Sequence, residues 1–180
     1  MSMAAGRWVV MGVCGSGKSS VGALLAAALG VRFLEGDDFH PPANVQKMRA
    51  GIALDDEDRA GWLDRLAAEI GAAAAAGEGV VLSCSALKRR YRDRLRAADP
   101  GLCFAHMAGE RDLIAQRMLA RAGHYMPLSL LESQLAILEP LQADEAGMQL
   151  DIRQDPAQLV AAILASKRMR GHSAPAAPAQ

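Results

Sequence analysis

Short apolar runs alternate along this chain with longer stretches of helical period. Strand-like runs fall at residues 8–11, 32–35, 80–84, 102–107 and 148–152. Helix-period segments separate them, and that alternation predicts an α/β fold with a parallel sheet. The first helix should carry Val21, Leu24, Leu25, Ala28 and Leu29 on one face. A later one should carry Trp62, Leu63, Leu66 and Ile70, and another Leu131, Leu135 and Leu138. Helix starts are marked. Asp55-Asp56-Glu57-Asp58 places negative charge where a helix dipole favours it. Ser129-Leu130-Leu131-Glu132 and Asp155-Pro156-Ala157-Gln158 have the spacing of capping boxes. Gly77 and Gly79 stop an alanine-rich helix end, and residues 169–180 lack core-forming side chains and are expected to form a disordered tail.

The segment joining the first strand to the first helix brings in chemistry. Gly12-Val13-Cys14-Gly15-Ser16-Gly17-Lys18-Ser19 fits G-x-x-x-x-G-K-[ST]. Consecutive backbone N–H groups there can converge on a phosphate, because glycine permits the conformations the wrap requires. The helix N-terminus, continuing through Ser20, adds its unsatisfied donors. Lys18 would reach the β- and γ-phosphates and the Ser19 hydroxyl would ligate Mg²⁺, so the pattern predicts binding of a nucleoside triphosphate.

Composition narrows the partners. At 180 residues the chain suits one domain with a small inserted lid. Lys+Arg and Asp+Glu are both 20, so no net field favours nucleic acid or an anionic membrane. The densest basic stretch, Lys88-Arg89-Arg90 with Arg92, Arg94 and Arg96, is spread around a helix axis by its spacing. The three cysteines, Cys14, Cys84 and Cys103, have no metal-ligand spacing and fit a reducing cytoplasm. Cys84, Cys103 and His106 read as core residues, with His106 expected to be hydrogen-bonded.

A second constellation follows the second strand, in Glu35-Gly36-Asp37-Asp38-Phe39-His40-Pro41-Pro42. Ligands of open parallel sheets bind beyond the carboxyl ends of the strands, which sets these acids beside the phosphate loop. Carboxylates crowded together need a cation or polyol hydroxyls between them. The third strand ends in no acid, so Glu35 or Asp37 is the candidate for the aspartate-like metal partner.

Several blocks of the chain together resemble the P-loop gluconokinases. They are Gly12–Ser19, Glu35-Gly36-Asp37 with His40-Pro41, Asn44 with Lys47-Met48, Asp56 with Asp58-Arg59 and Trp62-Leu63, Cys84-Ser85-Ala86-Leu87-Lys88 with Tyr91-Arg92-Asp93, and Arg121 with Gly123-His124. The resemblance spans about residues 7–155. It departs from the family's usual residues at Cys14, Ala53 and Leu135, where serine, proline and phenylalanine are customary. It implies ATP-dependent phosphorylation of D-gluconate at its terminal hydroxyl with Mg²⁺, and a homodimer. The implied fold is a three-layer α/β/α P-loop NTPase of the nucleotide- and shikimate-kinase type. Its five-stranded parallel sheet would have the order 2-3-1-4-5, with a helical lid at about 117–127 in a single domain of residues 1–168.

Gluconate is a linear polyol carrying a carboxylate. Arg59, Lys88 and Arg92 are the cations available to pair that carboxylate, and Asp37 and His40 suit its hydroxyls. Asp37 is expected to orient the attacking hydroxyl, and Glu35 to serve Mg²⁺ through water. Arg117 and Arg121, four residues apart, should share a helical face. By analogy with related kinases, Arg117 would lie against adenine and Arg121 would reach the transferring phosphoryl group. His124 would touch substrate or stiffen the lid. Rival readings fit less well. A shikimate kinase should show a glycine triplet where Ser83-Cys84-Ser85 stands, and a nucleoside monophosphate kinase a proline at Cys14. A switch GTPase would need the guanine-reading N-K-x-D, which is absent.

Overall fold

A computed structural model describes residues 6–121 and 127–171. The centre of the molecule is β1 (Arg7–Met11), whose last four residues are buried. β3 (Val80–Ser83) pairs with it on one side and β4 (Cys103–Ala108) on the other, both parallel, with Val9 opposite Leu82 and Phe104. β2 (Arg32–Glu35) and β5 (Gly147–Asp151) complete a five-stranded sheet of order β2-β3-β1-β4-β5 among the described residues. The expected order and parallel pairing are therefore observed. The central strands are covered on both faces, which is why β1 and β3 read as continuous apolar runs.

Helices α1 (Lys18–Leu29) and α7 (Pro156–Gly171) pack together, as do α3 (Asp56–Ala75) and α4 (Arg89–Ala98), and these two pairs are the outer layers. The remaining helices, α2 (Pro42–Arg49), α5 (Arg111–Ala120) and α6 (Leu128–Ile137), lie in the connections between strands. None of the described helices is long and apolar enough to cross a membrane.

The cap of α7 forms as its sequence predicts, and the acidic start of α3 forms a capping box as well. Asp55 accepts from the Asp58 N–H at 2.8 Å while Asp58 accepts from the Asp55 N–H at 3.1 Å. Asp155 and Gln158 exchange the same pair of bonds at 2.9 and 3.0 Å. Three expectations are corrected. Ser129 does not cap α6; the helix starts two residues earlier, Pro127 is its N-cap, and Ser129 lies inside the first turn. The buried face of α1 is Val21, Gly22, Leu25 and Ala26, with Leu24 and Ala28 turned outward. α7 continues through Gly171, so residues 169–171 are helical instead of tail, while 172–180 lie outside the described residues.

Candidate active site

The phosphate loop begins where β1 leaves the sheet. Its last glycine, Gly17, is the N-cap of α1 with φ 92°, a left-handed conformation that a side chain would strain, and no side chain caps the helix. The N–H groups of Gly17, Lys18, Ser19 and Ser20 therefore lack intrahelical acceptors at the positive end of a helix dipole. Lys18 Nζ rests 2.9 Å from the Val13 carbonyl. Burial pulls the pKa of this ammonium below its ordinary value, and the negative charge of Asp37 opposes that pull. Gly12, Val13 and Ser16 are buried beneath the loop, and the Ser16 hydroxyl has no hydrogen-bond partner among the described residues. Free backbone donors, a half-buried cation and an uncapped helix together fit a polyphosphate.

Cys14, Gly15, Gly17, Lys18 and Ser19 form one wall of a pocket. Further lining comes from the end of β2 and the start of α3. Glu35 is fixed there by the Ser83 hydroxyl, which donates to its Oε1 at 2.8 Å. A 3-10 turn, Gly36–Phe39, follows immediately. Gly36 sits so close to β3 that a Cβ would be 2.1 Å from the Ser83 carbonyl oxygen, so only glycine fits. Trp62 on α3 clamps the same turn, its indole N–H donating to the Gly36 carbonyl at 2.8 Å. That turn aims Asp37 at the pocket; Asp38 is exposed and does not line it.

His40 lies flat on Trp62, with ring centroids 4.2 Å apart. Its side chain is 4% exposed, and burial, reinforced by the nearby Arg59 charge, pulls its pKa down to about 4, so the ring is neutral at pH 7. The Asn44 amide nitrogen stands 3.3 Å from His40 Nδ1. Because that nitrogen is a donor, Nδ1 accepts and Nε2 carries the proton, facing Asp37 Oδ1 at 3.8 Å.

Arg59 is the most informative charge of the site. It is 4% exposed, lines the pocket, donates through Nε to the Leu54 carbonyl at 3.3 Å and stacks over Tyr91 at 5.5 Å. Among the described residues no carboxylate lies within ion-pairing distance of it. Burial pulls its pKa below the ordinary guanidinium value. A buried cation without a protein counter-ion, facing a cavity, awaits an anion.

The other predicted cations separate. Lys88 does not line the pocket; its ammonium is held by Asp56 at 3.0 Å, and the Tyr91 hydroxyl donates to the same carboxylate. Arg92 is fully buried and spent. It pairs with Glu145 at 2.7 Å and donates to the carbonyls of Ala86 and Glu139 at 3.0 Å. The expectation that these two read the substrate carboxylate is corrected: helical period turns Arg92 inward with Tyr91 and Leu95. Arg121 lines the pocket, but it follows α5 in extended conformation, so it does not share a helical face with Arg117. Arg117 instead donates to the Ile152 carbonyl at 2.7 Å, beyond β5. Ser20 is exposed and off the pocket, and His124 lies outside the described residues. His106 is buried as expected, yet its Nδ1 has no partner among the described residues. Burial pushes the Cys84 thiol up to about 12, which fits a core residue.

Several pocket residues escaped the sequence reading: Trp62 in a binding role, Ser85 after β3, and Leu130, Ser133 and Gln134 of α6. The polar pair Ser133-Gln134, following the buried Leu130 and Leu131 within α6, was the available signal.

Comparison with known proteins adds an independent line. Residues 8–141 match the family described as AAA domain. The thermosensitive gluconokinase of Escherichia coli K12 is 44% identical over 158 residues, covering 87% of this chain and 84% of that protein. The gluconokinase of Gluconobacter oxydans is 47% identical over 148 residues, covering 82% and 83%. Among solved structures, a gluconokinase from Sinorhizobium meliloti 1021 superposes with a TM-score of 0.82 at 48% identity, covering 93% of this chain and 94% of that one.

Proposed function

The chain belongs to the gluconokinase family of P-loop kinases, and we infer that it transfers the γ-phosphoryl group of ATP to the terminal hydroxyl of D-gluconate, giving 6-phospho-D-gluconate and ADP. The observation that supports gluconate as the acceptor is Arg59, a buried guanidinium in the pocket that the phosphate loop lines, without a carboxylate partner among the described residues. A sugar acid supplies the missing anion at one end and, at the other, a hydroxyl for transfer.

In this reading the loop donors at Gly15, Gly17, Lys18 and Ser19 hold the phosphates, and Lys18 follows the charge that moves from γ-phosphoryl to ADP. Ser19 and Glu35 are the residues suited to a magnesium ion, which would supply charge neutralisation between the phosphate oxygens. Asp37 accepts the hydrogen bond of the attacking hydroxyl and so orients its lone pair. As the new O–P bond forms and the bridging bond to the β-phosphate breaks, the hydroxyl proton passes to that carboxylate or to solvent. His40, neutral and donating through Nε2, holds a neighbouring hydroxyl. Arg121 meets the phosphoryl group, and Arg117 belongs to the adenine side. A cytoplasmic location and a homodimer complete the proposal, on the strength of the family and of three cysteines that are all free.

The test is ADP release measured with gluconate, glucose, shikimate and AMP as acceptors. Glucose leaves the Arg59 cation unpaired, so gluconate should be preferred by about a hundredfold or more in kcat/KM. Equal rates with glucose, shikimate or AMP would reduce the conclusion to a kinase of unassigned acceptor.

A further inference from the structure

Helix α6 reaches across the pocket to the phosphate loop. Its apolar side chains Leu130 and Leu131 are buried, while Ser133 and Gln134 line the cavity. The Ser133 hydroxyl is spent inside the helix, donating to the Leu130 carbonyl at 2.8 Å. Gln134 is not. Its Oε1 accepts the backbone N–H of Cys14 at 2.7 Å. A backbone N–H can be met only by the amide oxygen, so this contact fixes which way round the side-chain amide lies. The two hydrogens of Nε2 are then left without a partner among the described residues, on a side chain that lines the pocket.

The mounting of this amide is rigid. Just beyond the end of α6, the Glu139 N–H donates to the Leu87 carbonyl at 2.8 Å, and Arg92 grips the carbonyls of Glu139 and Pro140 at 3.0 and 3.3 Å. Gln134 is thus held at both ends, by the helix that carries it and by the loop it touches. Donors held in place before the reaction are the kind that stabilise developing charge without reorganisation.

We propose that Gln134 is a further catalytic residue of the transfer site: Oε1 ties α6 to the phosphate loop at Cys14, and Nε2 donates to an oxygen of the phosphoryl group in transit. The placement argues for the phosphoryl group over the carboxylate end of the acceptor. Gln134 bonds to the loop itself, at Cys14 beside Gly15, whereas the carboxylate partner Arg59 groups with His40, which stacks on Trp62. A neutral amide also adds a donor without adding to the positive charge of Lys18 and Arg121. The proposal rests on the phosphoryl-transfer reading above.

Two variants separate the two halves of the amide. Gln134→Met loses both the loop tie and the donor. Gln134→Glu keeps an acceptor for the Cys14 N–H, loses the donor and sets a negative charge against the phosphoryl oxygens. With kcat and both KM values measured at saturating co-substrate, and folding checked by thermal denaturation, both variants should lose about tenfold or more in kcat. The KM for gluconate should stay within about threefold, and Gln134→Glu should be no better than Gln134→Met. Recovery of wild-type kcat in Gln134→Glu would make Gln134 only a structural tie and overturn the proposal, as would a kcat within about twofold of wild type in both. If wild-type protein ignores gluconate but phosphorylates another acceptor, the acceptor assignment fails and the same comparison on that acceptor still decides Gln134.

Discussion

Arg92 and Glu145 meet as an ion pair with both side chains fully buried, Nε to Oε1 at 2.7 Å and Nη2 to Oε2 at 2.9 Å. Burial alone would raise the Glu145 carboxyl, but bonds from Arg92, the Gln142 N–H and Arg96 outweigh it and hold the group at about 2. The same guanidinium donates to the carbonyl of Ala86, a non-glycine residue at φ 44°. That turn carries Ser85, which lines the pocket and accepts the Gly12 N–H at 3.3 Å. Arg92 therefore supports the site from within the core, with its donors engaged by Glu145 and backbone carbonyls.

Arg92→Met should accordingly act on stability. Removing one partner of a buried pair leaves an uncompensated carboxylate and costs about 3 kcal/mol, softened here by Arg96, which also reaches Glu145. In a chain of this size that is about 6–12 °C in thermal midpoint. The folded fraction should bind gluconate with a KM within about threefold of wild type. A large rise in gluconate KM at unchanged thermal midpoint would return Arg92 to the substrate.

Arg59 and Lys88 make the complementary comparison. Arg59→Met removes the buried cation facing the pocket, so the gluconate KM should rise by about a hundredfold while the ATP KM moves little. Discrimination against glucose should collapse with it. Lys88→Met breaks a part-exposed pair with Asp56 and should cost no more than about 1 kcal/mol, with kinetics near wild type. Steady-state kinetics on both acceptors decide it: the reverse pattern would mean that Lys88 leaves Asp56 when substrate binds.

Asp37 and Asp38 test the turn after β2. Asp37→Asn keeps the shape but loses the charge facing the acceptor hydroxyl, and kcat should fall by about a hundredfold. Asp38→Asn, exposed and off the pocket, should stay within about twofold. Sensitivity at Asp38 instead would mean that the turn is wound one residue out of register in solution.

Much of this architecture was legible in the residues because its signals are local. The phosphate loop, five apolar runs, the acidic start of α3 and the cap at Asp155 each need only a few neighbours to form. What escaped depended on distant partners. Leu24 and Ala28 look like core at helical spacing, yet the face that meets the sheet is set by Gly22 and Ala26, whose small size allows close packing. Arg92 and Lys88 are equally plausible anion ligands by type. Only the position of Glu145, 53 residues further along, spends one of them in the interior. Gln134 was hidden for the same reason, since its partner Cys14 is 120 residues away.

Acid sensitivity follows from the two buried histidines. Burial pulls both His40 and His106 down to about 4, aided by Arg59 beside the first and Arg92 beside the second. Both rings are neutral in the folded protein at pH 7, whereas in the unfolded chain they titrate near the ordinary value of about 6.5. Between those values the unfolded state binds more protons, so stability is complete above about pH 6.5 and is lost as pH falls toward 4. Each ring can contribute up to about 3 kcal/mol across that window. Glu145, held at about 2, keeps its charge throughout and adds its own loss only below the ordinary carboxyl range. The thermal midpoint measured from pH 7.5 to 4.5 should fall steeply, and in His106→Gln the fall should be about half as steep. A wild-type midpoint that stays flat over this range would show that both rings already accept protons in the folded state, and would remove the neutral His40 from the substrate site as well.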